Sequence, residues 1–350
     1  MSQSPPTAAQ RETISKTAIW VAAGRAIGAR EPDITVRNPD DLAAALLGDP
    51  MQLHVLHPIV TALNASYDEA MQDLETAGMV RAMMIRTRFI DEMLGKAIAS
   101  GVEQVLILGA GLDSHAYRCR DLLSRARVFE LDRPNTLDYK RRRVNEALGG
   151  PPGNLTYVPL DLDEPISATL PRHGYDPSKR SFILMEGVSM YLPEATLSST
   201  LQFIASHARG SSLVFDFATR AMVEGIQGID LASIPPASRG PAERLLDMIR
   251  DEPWLTGIPL DDEKSYLAER GLELGELITI GSDESVARYL TRPDGTVVGE
   301  LTMARADAMR KAMVDRMAES DPSQRPMIEE RMKAQARQMA YRIAEAHPVR

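Results

Sequence analysis

The chain has 350 residues and a net charge of −9, with 44% hydrophobic and 25% charged residues. This leaves room for a substantial core and excludes a protein whose main task is gripping a phosphate backbone. No apolar run is long enough to cross a bilayer, and the opening MSQSPPTAAQRET lacks the features of a signal peptide. The single cysteine, Cys119, has no internal partner, so the expectation is a cytoplasmic protein without nucleic-acid or membrane partners.

Residues 1–12 are polar and proline-containing and read as a disordered tail. From 13 to 100 the pattern is helical: TAIWVAAGRAIGAR is alanine-rich, DDLAAALLGD opens with capping residues, and AGMVRAMMIRTRFIDEMLGKAIASG runs to a glycine stop. After Gly101 short aliphatic runs alternate with helical segments. The runs are QVLILGA (104–110), ARVFELD (126–132), LTYVPLDL (155–162), SFILMEG (181–187) and SSLVFDFA (211–218). Near-continuous apolar strands are covered on both faces, which predicts a doubly wound α/β core over 101–350 with its ligands at the carboxyl ends of the strands. The proline-rich stretch from about 219 to 262 interrupts the rhythm just after the fifth strand and reads as a lid.

A helical segment covers about 301–335, where Met309, Met313 and Met317 recur at a spacing of four and read as a packing stripe. The basic run Lys140 to Arg143 reads as a solvated helix face. His54 and His57 stand one turn apart, but with no neighbouring cysteine or third histidine the expectation is no metal site. TVVGEL (296–301) and MAYRIAEA (339–346) both qualify as the last strand.

The stretch VLILGAGLDSHAYRCR (105–120) carries the chemistry. Gly109 and Gly111 directly follow a strand, where glycine permits an unusual backbone angle or a close ligand. There is no GxxxxGK[ST] loop, so nucleoside triphosphate chemistry is not expected. A dinucleotide loop would place a third glycine at position 114; here stands Ser114, beside Asp113. A carboxylate at that point repels a pyrophosphate and tolerates a cation. Asp132, ending the second strand, suits the hydroxyls of an adenosine ribose and serves NAD and S-adenosylmethionine equally. The missing glycine and Asp113 therefore favour a sulfonium cofactor.

On TAIWVAAGRAIGAR, RTRFIDEML, LGAGLDSHAYR, VFELDRPNTLDYKR, VPLDLDE, EGVSMYLPE, SLVFDF and EPWLTGIP, in that order, the chain resembles the leucine carboxyl methyltransferase-like family of class I S-adenosylmethionine-dependent methyltransferases. It is similar in particular to the bacterial branch that methylates polyketides and other small molecules. The resemblance implies a Rossmann-like, mostly parallel sheet with an antiparallel last strand, for which it favours 339–346, together with an N-terminal helical cap and a lid after strand 5. It implies that Gly109 and Gly111 form the cofactor turn, Asp132 holds the ribose, and Asp161 and Leu162 flank the adenine. It further implies that Glu186 accepts from the methionine ammonium, that Arg86 or Arg88 pairs with its carboxylate (Lys16 being a weaker candidate), and that Tyr191 stands near the methyl group.

The chain departs from its relatives at Ser114 and His115, where they usually carry threonine and arginine. It departs again at Asp163, where they commonly carry the arginine that meets a carboxylate acceptor. A negative charge there favours a neutral acceptor, and a hydroxyl acceptor requires a general base, for which His115, Asp163 and a lid residue are candidates. Trp254 reads either as a wall of the acceptor pocket or as lid packing. The expected activity is thus O-methylation of a small molecule, with carboxyl methylation and a non-catalytic cofactor-binding protein as alternatives and NAD-dependent oxidoreduction as a distant one. Homo-oligomerisation is left open.

Overall fold

The computed structural model describes residues 15–49, 57–234, 239–319 and 321–349; the expected tail over 1–12 and His54 lie outside them. Helix α1 (Lys16–Gly28) starts where the Ser15 side chain accepts from Ala18 N, and it is alanine-rich as the sequence suggested. Helix α2 (Leu74–Ala99) is capped by Asp73, which accepts from Thr76 N at 2.8 Å. The two helices approach closely because Gly24 and Gly28 face Met83 and Met84, whose side-chain carbons would lie only 3.0 Å from an added Cβ. This pair carries both the cap and the arginine side chains that the site uses.

Among the described residues seven strands follow: β1 (Gln104–Leu108), β2 (Arg127–Asp132), β3 (Leu155–Pro159), β4 (Ser181–Met185), β5 (Ser212–Ala218), β6 (Leu272–Thr279) and β7 (Tyr341–Pro348). They form one sheet in the order β3-β2-β1-β4-β5-β7-β6. The first five are parallel to one another, and β7 runs antiparallel to β5 and β6. Successive β1 side chains enter different cores: Val105 and Ile107 join the one under α1 and α2, while Leu106 and Leu108 join the other. Every residue of β1, β4 and β5 is buried, which is why these strands read as near-continuous apolar runs. The chain winds outwards from β1 to β3 and returns to β4, so a crevice opens where the winding reverses, at the carboxyl ends of β1 and β4.

Helices α3 (Pro134–Leu148) and α4 (Glu194–Ala205) cross between strands, and α5 (Arg220–Gln227) and α6 (Arg239–Asp251) lie in the stretch expected as a lid. Its base is closed by a parallel bridge between Thr219 and Ile258. Helix α7 (Asp283–Tyr289) follows β6, and α8 (Glu300–Met317) and α9 (Arg325–Gln338) form a hairpin before β7.

Two sequence readings need correction, and one strand was missed. The favoured strand at 339–346 is β7, but its partner β6 was not anticipated, because an edge strand half in water mixes leucine with glutamate and carries a bulge between Leu274 and Leu277. The methionine stripe is not packed: Met309, Met313 and Met317 are 62%, 55% and 49% exposed, and the hairpin closes instead through Val314, Ala318, Ile328 and Met332. Lys140 is not solvated; it is fully buried, with its ammonium 2.8 Å from Glu130 and donating to Ala110 O at 3.2 Å. That bond ties the buried pair to the glycine loop above it.

Candidate active site at the strand ends

A cavity of about 1360 Å³ opens at the carboxyl ends of β1, β2 and β4 and extends beneath the lid. The glycine loop forms one wall. Gly109 (φ +62°) and Gly111 (φ +40°) adopt the left-handed region, and a Cβ on Gly109 would lie 2.4 Å from Val188 Cγ2. Asp132 secures the turn: Oδ2 accepts from Gly111 N and Oδ1 from Arg133 N, both at 2.7 Å. Burial pushes its carboxyl up, and the two amide donors oppose that.

Asp113 is less free than the sequence implied. Oδ1 accepts from His115 N at 2.8 Å and Oδ2 sits 2.6 Å from His115 Nδ1. The imidazole's other nitrogen lies 3.1 Å from Asp91, which accepts two bonds from Arg118. Burial is the strongest influence and works against a charged His115, but the Asp113 charge and the hydrogen bonds to Asp113 and Asp91 together outweigh it and raise the imidazole to about 9. His115 is therefore a cation at neutral pH that neutralises Asp113. It lies behind the cavity wall rather than lining it, so its candidacy as a base is withdrawn.

The buried end of the cavity gathers charges from four elements. Arg86, from α2, places Nη2 2.7 Å from Glu186 Oε1 and Nη1 2.8 Å from Asp216 Oδ2. Asp216 also accepts from Gly187 N at 2.6 Å and from the Tyr341 hydroxyl at 2.7 Å. Arg25 is bonded to Asp40 and Leu112 O and stands 3.7 Å from Glu186. Arg88 is not part of this group: it turns away to donate to the carbonyls of Arg37 and Thr35. The contact between Arg86 Nη2 and Glu186 Oε1 is close but lacks hydrogen-bond geometry, so both atoms are buried without a hydrogen-bond partner among the described residues. Together they offer a donor for a carboxylate and an acceptor for an ammonium, which suits an amino-acid end.

Asp161, Leu162, Asp163, Lys16 and Tyr191 all line the cavity, with Asp163 exposed at its rim. Trp254 lines it too, edge-on to Tyr191 with ring centroids 6.4 Å apart and 6.2 Å from the Tyr341 ring. Burial pushes the Tyr191 phenol up to about 12. Across the mouth, Glu252 of the lid accepts from Thr17 N at 3.1 Å and from Thr17 Oγ1 at 2.5 Å. His57 caps a short helix, contacts Glu75 and packs its ring 4.2 Å from that of Trp20, so it stands behind a lining residue rather than in the cavity. Asp113, His115 and Glu186 offer atoms within 4.8 Å of one another; the first two meet through their hydrogen bond.

Arg25, Asp216, Glu252 and Tyr341 were missed. Arg25 had left a trace, as a lone charge inside the apolar window AIWVAAGRAIG. Asp216 had left another, interrupting VFDF.

A glycine turn, an acid at the end of β2 and a zwitterion-matched floor define an α/β enzyme that takes an adenosine cofactor bearing an amino acid. The family profile described as leucine carboxyl methyltransferase matches residues 18–205, and the chain belongs to that family. It is an S-adenosylmethionine-dependent methyltransferase. A Frankia alni protein named "Putative S-adenosyl-L-methionine-dependent methyltransferase" is 33% identical over 204 residues, 58% of this chain and 70% of that one. One of the same name from Mycolicibacterium vanbaalenii is 29% identical over 274 residues, 71% of this chain and 85% of its own. A solved structure titled as a putative methyltransferase from Thermobifida fusca shares 16% identity, covers 92% of this chain and 97% of its own, and superposes with a TM-score of 0.46.

Proposed function

We propose that the enzyme transfers the methyl group to a hydroxyl of a small, largely apolar molecule, in the manner of natural-product O-methyltransferases. The observation that carries this reading is the size and lining of the cavity. At about 1360 Å³ it exceeds the space one drug-sized ligand needs, and beyond the charged floor its walls are Trp20, Met190, Tyr191, Trp254 and Leu255. Asp163 at the rim disfavours an anionic acceptor.

The cofactor supplies an electrophilic methyl on a sulfonium. Arg86 and Glu186 hold its amino-acid end, Asp132 its ribose, and Asp161 and Leu162 its adenine. The lid and the aromatic wall exclude water and align the acceptor, an effect of up to ~7–11 kcal/mol in well-oriented intramolecular reactions. A hydroxyl must lose its proton. With His115 walled off, the carboxylates left to take it are Asp163 at the rim and Glu252, which sits by Thr17 at the mouth. Carboxyl methylation remains the second reading, favoured by the family to which residues 18–205 match.

The experiment is transfer from methyl-labelled S-adenosylmethionine to metabolite extracts, followed by mild alkali. An ether keeps its label and supports the proposal. Label released as methanol marks an ester and replaces it with the second reading.

A further inference from the structure

Two carboxylates share one guanidinium at the cavity floor. Arg86 is 2% exposed and contacts both Glu186 and Asp216, and Asp216 is fully buried. The nearby Arg25 does not redress the balance, being held by Asp40 at 2.7 Å, and His115 is matched by Asp113. Counted in their ionised forms, Arg25, Arg86 and His115 stand against Asp40, Asp113, Glu186 and Asp216, an excess of one negative charge; burial and Glu186 push the Asp216 carboxyl up, and Arg86, the Tyr341 hydroxyl and Gly187 N oppose that. Asp216 is the group that creates the excess. Its neighbours Gly187 N, Arg86 Nη1 and the Tyr341 hydroxyl all donate to it, an arrangement that satisfies a carboxylate and would leave a neutral acid with a proton to place.

We propose that Asp216, held by Tyr341, is a positioning residue that sets this charge, so that the site holds the cationic cofactor more tightly than the neutral product. The amino-acid end of either ligand is a zwitterion with no net charge. S-adenosylmethionine adds a sulfonium, which the floor's negative charge complements. S-adenosylhomocysteine has a thioether and gains nothing from that charge. Once the methyl group has left, the floor favours exchange of spent cofactor for fresh. Asp216 stands behind the wall formed by Arg86, Glu186, Gly187 and Tyr341, so it acts through the field and through Arg86 rather than by touching the ligand. This inference rests on the cofactor and is independent of the acceptor.

The test is equilibrium binding by calorimetry without acceptor, using S-adenosylmethionine, S-adenosylhomocysteine and the cationic amine analogue sinefungin. The unaltered enzyme is expected to bind both cations about tenfold or more tightly than the thioether. Asp216→Asn keeps the shape and removes the charge, and the preference is expected to fall by about tenfold. Tyr341→Phe removes a hydrogen bond in the same cluster but no charge, so it is expected to weaken all three ligands alike. Equal affinities of the unaltered enzyme for cations and thioether would overturn the proposal, even if Asp216→Asn does not fold. So would an unchanged preference in Asp216→Asn, or a loss of preference in Tyr341→Phe as large as in Asp216→Asn. If the acceptor reading fails in the labelling experiment, these affinities are unaffected.

Discussion

Replacing His115 with glutamine removes one buried cation while keeping a side chain that bonds to Asp113. In the folded protein the imidazole titrates at about 9, against 6.5 for a free histidine. Burial pulls it down, and the Asp113 carboxylate at 2.6 Å together with Asp91 more than reverses that. The native state therefore binds this proton more tightly than the unfolded chain does. The stabilisation is complete below pH 6.5, declines as pH rises, and is gone once pH passes about 9. The gap between the two values corresponds to about 3 kcal/mol at about 1.4 kcal/mol per pH unit. This is a large share of the ~5–15 kcal/mol that holds a typical domain folded. Urea unfolding from pH 6.5 to about 10 measures it. The unaltered protein should lose stability through this window, and His115→Gln should show a flatter profile. Glu130, which burial pushes up to about 7, titrates in both proteins and cancels in the comparison. Parallel profiles would refute the buried imidazolium.

Arg86→Ala strands two buried carboxylates and should cost about 3–5 kcal/mol of stability, along with most of the cofactor affinity. Arg88→Ala, two residues on, should leave calorimetric cofactor binding within about twofold, because its bonds go to Thr35 and Arg37. Lys140→Met should destabilise by about 3–5 kcal/mol in urea, and adding Glu130→Leu should recover much of it, since a buried pair is worth little against its apolar replacement. Gly109→Ala drives a carbon to 2.4 Å from Val188 at φ +62° and should lose about 2 kcal/mol or more. Adding Val188→Ala should relieve the clash but not the backbone strain, so recovery in thermal unfolding should be partial.

Much of this was already written along the chain. A strand covered on both faces must be apolar at nearly every position, so β1, β4 and β5 announce themselves, and loops at their ends carry Gly109, Gly111 and Glu186. Asp132, ending β2, is found by the same rhythm. An edge strand such as β6 lacks that constraint, because one of its faces meets water. Lys140 misled for a related reason: a charged helix turn reads as solvated unless one knows that Glu130 waits beneath it.

Contacts between distant segments were decided only by the fold. Residues two apart on a helix point roughly 200° away from each other, so the roll of α2 against the sheet is what sends Arg86 inwards and Arg88 to the cap. Asp216 and Tyr341 are 125 positions apart, and Thr17 and Glu252 are 235 apart. Helical and strand periodicities record which face of an element is buried, and they reach only a few residues. Which buried face meets which is settled by packing the whole chain into one volume, and there the floor of the cavity takes its charge.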